Sequence, residues 1–361
     1  MISSLLYSCL PTASNKLAGE HVGVPHEDPT IQAAQTSTAK FALVIHGGAG
    51  VIDPEAMPPQ TREKYAAALK EALAAGYNVL SEGGSSMDAV EAAVRAMEDC
   101  PLFNAGKGAV FSRDGKNVCE ASIMDGLTAQ AGAATLLTKV KNPISLARVL
   151  KEKAPHVFIA STEAEQFAAE NGLDIVDEKY FFTEHRWRQH VGGAGKAAAN
   201  LHIEPPAYQE KADAKYPDPY PQGTVGACAV DQNGDLAAAT STGGKNNKWT
   251  YRIGDTPLIG CGNYAENKYA AVSGTGDGEY FIRHAVAHDV VARIKYGGQS
   301  LVEASNATVH ETLKNAGGAG GLVAVGPDGR VALPFNTSCM YRGFIKDNGV
   351  PHAAIFADEW F

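Results

Sequence analysis

Cysteine is scarce and scattered in this 361-residue chain. Cys9, Cys100, Cys119, Cys228, Cys261 and Cys339 form no CxxC pair, so neither a zinc ribbon nor a compact disulfide framework is expected. Most of them read as small buried hydrophobes. The formal charge of -9 comes without any basic stripe, which removes the electrostatic footprint of a nucleic-acid binder. No run approaches the roughly 18 apolar residues of a membrane span. The apolar patch Leu5-Leu6-Tyr7 has no basic residue before it, so Met1 to Ser14 lacks the n-region of a secretory signal, and a cytoplasmic location is expected. Internal repeats and low-complexity tracts are missing as well.

What is present is an ordinary globular composition, 45% hydrophobic and 20% charged, with 38 glycines for turns and close packing. Residues 1–40 show no periodicity and read as a flexible extension. Phe41 to Ile45 is a short apolar run ending in His46-Gly47-Gly48-Ala49-Gly50, the pattern of a buried strand feeding a glycine loop. Leu69, Leu73, Tyr77 and Leu80 share one helical face, and Gly83-Gly84 ends that helix. Ser85 with Asp88 resembles a capping box for a second helix carrying Met87, Val90, Val94 and Met97, stopped by Pro101. Strands are expected at 117–124, 130–137 and 156–160, and helices at 144–150 and 162–171.

From about Gln189 to Gln222, charge and proline dissolve the pattern into a linker. Beyond it come a hairpin of Val225–Val230 with Leu236–Ser241, a long helix at Glu279–Tyr296, a helix capped by Ser300 and Glu303, and a hairpin around Gly326–Gly329. Strands and helices in blocks from both halves favour an α+β chain, with helices packed outside two stacked sheets.

The linker runs straight into Gly223-Thr224-Val225-Gly226, which puts a threonine at the mouth of a buried strand. Cutting before Thr224 would leave one residue with a hydroxyl nucleophile and an α-amine of pKa about 7.7–8.0, able to act as its own general base. Glycine at 223 would tolerate the strained backbone that such an intramolecular attack needs. The tetrapeptide by itself is also an ordinary turn.

Eight ordered segments give it context. They are Ile45-His-Gly-Gly-Ala-Gly50, Cys100-Pro-Leu-Phe-Asn-Ala-Gly106, Met124-Asp-Gly126, Gly223-Thr-Val-Gly-Ala227, Thr240-Ser-Thr-Gly-Gly244, Arg252-Ile-Gly-Asp255, Gly274-Thr-Gly276 and Leu333-Pro-Phe-Asn-Thr337. Together they closely resemble the plant-type asparaginase and isoaspartyl-peptidase family of N-terminal nucleophile hydrolases.

The resemblance implies a four-layer αββα sandwich and a precursor that cuts itself between Gly223 and Thr224 into an α part, 41–223 with its linker, and a β part, 224–361. It implies Thr224 as nucleophile, Thr242 as the hydroxyl that orients it, Thr275 and Gly276 at the oxyanion, and Asn104 polarising the scissile carbonyl. Arg252 would grip the substrate's α-carboxylate and Asp255 its α-ammonium, with Ile253, Gly254, Asp277 and Gly278 completing the binding loops. Asparagine and isoaspartyl dipeptides are the implied substrates, and two α and two β subunits the implied assembly. No cofactor is implied for catalysis. A structural sodium or potassium ion would sit on the backbone carbonyls of Met97, Glu98, Cys100, Phe103, Ala105 and Lys107, where Lys107 replaces a residue that is often apolar. Asp277 adds charge beside a pocket that must accept a carboxylate. His46 is expected to be structural. A glycosylasparaginase of the same fold and a non-cleaving protein that binds aspartyl ligands are the alternatives.

Overall fold

A computed structural model describes residues 29–193, 223–357 and 359–361. The strands form two sheets. The larger has eight strands: β1 (Ala42–Gly50), β2 (Cys119–Asp125), β3 (Ala131–Leu137), β4 (Phe158–Ala160), β5 (Val225–Val230), β6 (Leu236–Thr242), and two near the C-terminus. The smaller has four: β7 (Asn263–Glu266), β8 (Ala270–Gly276), β9 (Gly320–Val325) and β10 (Val331–Ala332). Adding β11 (Cys339–Lys346) and β12 (His352–Ala354), the large sheet runs β12-β11-β1-β5-β6-β2-β3-β4 and the small one β10-β9-β8-β7. The Phe41–Ile45 run lies at the centre of the large sheet, between β11 and β5. Its lack of alternation follows from burial on both faces.

Helices α2 (Pro59–Ser81) and α3 (Ser86–Glu98) cover one face of the large sheet. Their Leu69, Leu73, Val90 and Val94 pack with Leu43, Ile45, Ile123, Val225 and Ala227. On the other face, Ala42, Val44, Cys228 and Ala238 meet Ala271, Val323 and Val325 of the small sheet. The small sheet's far side is covered by α7 (Gly278–His284), α8 (Val286–Gly297) and the segment Thr308–Leu313, through Phe281, Val290, Val291 and Leu313. The chain is thus α+β, with each sheet carrying helices on its outer side. Further helices among the described residues are α1 (Pro29–Thr36), α4 (Pro143–Lys153), α5 (Ser161–Glu170), α6 (Glu184–Gly193) and α9 (Leu301–Ala307), which follows α8.

Four features depart from the sequence expectation. The end of the expected flexible extension is helical: α1 buries Ala34, and the buried Lys346 ammonium donates to Ala34 O at 2.8 Å and Ser37 O at 2.7 Å. Residues 1–28 lie outside the described residues. The glycine loop after Ile45 is instead a continuation of β1, kinked by a register shift between His46 and Gly48, where Gly48 takes φ 114°. The expected long helix at Glu279–Tyr296 breaks at Ala285, which adopts φ 46°. The break turns the first amides of α8 toward the preceding loop, so that His288 N donates to Gly260 O at 2.9 Å and Ala287 N to Cys261 O at 3.3 Å. Helix α6 reaches into the expected linker as far as Gly193, and the rest of that linker lies outside the described residues.

Candidate active site

The end of β1, the start of β5 and the ends of β6 and β8 come together at one edge of the two sheets. There they surround a cavity of about 670 Å³. Gly223, Thr224, Thr242, Gly276, Arg252, Asp255 and Asp277 all line it. The dipeptide singled out in the sequence therefore shares one cavity with Thr242, Gly276 and the Arg252–Asp255 pair, whereas Asn104 and Thr275 are not among its lining residues.

Thr224 is buried, and its carbonyl accepts from His46 Nδ1 at 3.0 Å. His46 Nε2 meets Ser273 Oγ at 2.8 Å, and Ser273 meets Thr240 Oγ1 at 2.8 Å. Asn263 Nδ2 in turn donates to Thr240 Oγ1 at 3.2 Å. This chain of side chains crosses the layer between the sheets and ties Thr224 to the small sheet. Burial holds the His46 imidazole down to about 3, against the pull of its hydrogen bond to Thr224, so it is neutral and unsuited to be a general base near pH 7. Gly226, beside this network, has to be glycine. A Cβ there would lie 2.0 Å from Ser273 Oγ and 2.4 Å from His46 Nε2.

Two hydroxyls have an acceptor position occupied by backbone, which leaves their own protons to donate. Thr242 Oγ1 accepts from Gly244 N at 2.9 Å, and Thr275 Oγ1 accepts from Ala49 N at 3.3 Å. Thr275 does not itself line the cavity, but a Cβ on Gly223 would lie 2.7 Å from its Oγ1. Gly223 is thus required by close approach to a hydroxyl.

Asn104, expected to polarise the scissile carbonyl, is buried and is not among the residues lining the cavity. Its Nδ2 donates to Gly244 O at 2.7 Å, its Oδ1 accepts from Val110 N at 2.9 Å, and its carbonyl accepts from Gly243 N at 3.0 Å. Here it braces the turn that carries Thr242.

Arg252 and Asp255 lie against the start of α7. A Cβ on Gly278 would meet Asp255 Oδ1 at 2.6 Å and Arg252 Nη2 at 2.7 Å, which explains that glycine. Gly254 separates the pair, and Ile253 is half-buried in the same turn. Burial pushes the Asp255 carboxyl up to about 7, and the neighbouring Glu120 charge adds to the rise. Asp255 Oδ2 is buried without a hydrogen-bond partner. Arg252 Nε donates to Glu279 Oε1 at 3.1 Å, and Lys245 bridges Asp277 at 2.8 Å and Glu279 at 3.1 Å. The charge of Asp277, flagged in the sequence as unfavourable to a carboxylate, is therefore offset by Lys245.

Sequence reasoning missed Glu120, Lys245 and Arg186 as cavity residues. The signal for Glu120 was a carboxylate inside a strand that is buried from Cys119 to Met124. Arg186 offered none, because α6 sits beside the expected linker.

The Met97–Lys107 segment folds its carbonyls onto glycines. A Cβ on Gly106 would lie 2.4 Å from Glu98 O, and one on Gly108 would lie 1.9 Å from Phe103 O. The Lys107 ammonium is drawn over the Tyr180 ring, 5.5 Å from its centroid. Among the described residues no cluster of three or more His, Cys, Asp or Glu is gathered. No helix among the described residues is long and apolar enough to cross a membrane.

Comparison with known proteins matches the family described as asparaginase over residues 39–355. The isoaspartyl peptidase of Escherichia coli (strain K12) is 42% identical over 320 residues, covering 89% of this chain and 97% of the relative. A probable isoaspartyl peptidase/L-asparaginase 2 of Arabidopsis thaliana is 39% identical, covering 88% and 99%, and an isoaspartyl peptidase/L-asparaginase of Bos taurus is 36% identical, covering 88% and 96%. With the match spanning both sheets and every wall of the cavity, the chain belongs to the asparaginase family.

Proposed function

We propose that the chain is an autoproteolytic amidohydrolase that releases ammonia from L-asparagine and cleaves N-terminal isoaspartyl dipeptides. The observation that carries this reading is the Gly223-Thr224 bond lining one cavity with Thr242, Arg252 and Asp255. In maturation, Thr224 Oγ attacks the Gly223 carbonyl and the C–N bond breaks, giving an ester to Thr224 and freeing its amine. Water then hydrolyses the ester, leaving Thr224 as a new N-terminus.

In turnover, the Thr224 amine takes the hydroxyl proton while Oγ attacks the substrate's side-chain amide carbon. The same amine returns the proton to the leaving ammonia or amino acid, and water resolves the β-aspartyl ester. Thr242 donates to Thr224 Oγ, while Thr275 and the Gly276 backbone serve the oxyanion. Asn104 acts through the turn it braces. Arg252 forks onto the α-carboxylate and Asp255 meets the α-ammonium, which together demand a free amino-acid head group.

The helix, sheet, sheet, helix packing supports the four-layer αββα sandwich of N-terminal nucleophile hydrolases. An alkali cation held by the carbonyls of Met97, Glu98, Cys100, Phe103, Ala105 and Lys107 would stiffen the loop that carries Asn104 and take no part in the chemistry. The reading extends to a cytoplasmic heterotetramer of two α and two β subunits, to be checked by light scattering and cell fractionation.

Ammonia release from asparagine, dipeptide cleavage, and hydrolysis of a glycosylated asparagine should be assayed side by side with Thr224→Ala. Activity on the first two, abolished by the substitution, is expected. Hydrolysis of glycosylasparagine alone would contradict the reading, as would tight aspartate binding without turnover.

A further inference from the structure

Glu120 is 1% exposed on β2, in the interior of the large sheet, and it lines the cavity. Its Oε2 accepts from Thr135 Oγ1 at 2.9 Å and its Oε1 from Gly254 N at 3.1 Å. Gly254 stands between Arg252 and Asp255. A Cβ on Gly254 would lie 2.8 Å from Arg252 Nη1 and 2.9 Å from Glu120 Oε1, so the guanidinium and the second carboxylate flank one Cα.

Two buried acids therefore share the head-group end of the cavity, and Asp255 Oδ2 is without a hydrogen-bond partner. Like charges buried this close are costly unless a cation comes between them. Of the nearby protein cations, Arg252 lies beside both acids with its Nε donating to Glu279, and the buried Lys248 ammonium donates to Val118 O at 2.9 Å, so neither is shown hydrogen-bonded to Asp255 Oδ2.

We propose that Glu120 is the second acid of an ammonium subsite, in which it and Asp255 together receive the substrate's α-ammonium while Arg252 takes the α-carboxylate. The proposal rests on the functional reading above and adds to it a residue from the α part of the chain. An ammonium has three N–H donors, so one acid cannot satisfy it, whereas two acids and one further acceptor can. Such a subsite selects an α-amino acid over its deaminated analogue.

A purely structural Glu120 would only tether the Arg252–Asp255 turn through Gly254 N. Losing a tether loosens both ends of the clamp, so carboxylate and ammonium recognition weaken alike. Losing an ammonium acceptor weakens only the second, which makes the two roles separable.

Glu120→Gln keeps an acceptor for Gly254 N and removes the charge. Inhibition constants for aspartate, which has the amine, and for succinate, which lacks it, are measured against asparagine hydrolysis by the mature protein. The expected result is an aspartate constant raised about tenfold or more, with that of succinate unchanged or lower. Equal weakening of both ligands, or of neither, overturns the subsite. If Glu120→Gln does not mature, Glu120→Asp decides: its shorter reach should reduce the preference for aspartate over succinate several-fold, and an unchanged preference overturns the proposal. Wild-type protein that hydrolyses no asparagine and binds no aspartate refutes the functional reading itself, and the subsite with it. Wild-type binding of aspartate with an unaltered preference in the variants refutes Glu120 alone.

Discussion

Asp255→Asn should make the fold more stable and the enzyme inactive. The Asp255 carboxyl sits at about 7 in the folded chain against an ordinary 3.8, chiefly because burial disfavours its charge. At 1.36 kcal/mol for each tenfold change in proton affinity, that rise corresponds to a penalty of about 4 kcal/mol above pH 7. An asparagine removes the penalty but aims an amide at the position of Oδ2, which has no partner, at a cost of about 1–3 kcal/mol. A net gain of about 1–3 kcal/mol remains, or about 1–4 °C in Tm for a chain of this size.

The sign carries the test. A raised acid binds its proton more tightly in the folded state, so the wild type loses stability relative to the variant as pH climbs from 3.8 to about 7, and the gap is then flat. Thermal scans from pH 4 to 8, with both proteins in a Thr224→Ala background so that neither is cut, isolate this effect. A gap that does not change with pH, or a variant less stable than wild type at pH 8, would refute the reasoning.

Thr242→Val should lower kcat by about a hundredfold while leaving KM within a few-fold, because the lost hydroxyl orients the nucleophile and does not hold the head group. Gly226→Ala forces a methyl to within 2.4 Å of His46 Nε2, and a loss of about 1–3 kcal/mol is expected in urea unfolding, together with slower maturation. For the proposed cation, replacing sodium and potassium by tetramethylammonium should lower Tm without changing KM, whereas Lys107→Ala should leave that salt response intact, since its ammonium lies on Tyr180. A salt response absent from the wild type would argue against the loop as a cation site.

Much of this fold could be read from local pattern. The Ser85 cap was visible because the side chain accepts from Asp88 N, an interaction contained within four residues. The capping box at Ser300 and Glu303 was visible for the same reason. The break at Ala285 was not, because its cause lies in Gly260 and Cys261, whose carbonyls take the freed amides. The docking of α1 was hidden too, since it depends on Lys346, about 310 residues away.

The site divides along the same line. Thr224, Thr242, Arg252 and Asp255 were found through their motifs, and the fold brings them to one cavity. Asn104 shared those motifs, yet its hydrogen bonds turn it toward Gly244 and Val110. Glu120 belongs to no motif and enters the site because β2 passes beneath the Arg252–Asp255 turn.

The account turns on the bond between Gly223 and Thr224, and intact mass with N-terminal sequencing of active protein tests it most directly. Two chains are expected, one ending at Gly223 and the other running 224–361 with Thr224 as a free N-terminus. Full asparaginase activity in a preparation that contains only the uncut 361-residue chain would contradict it.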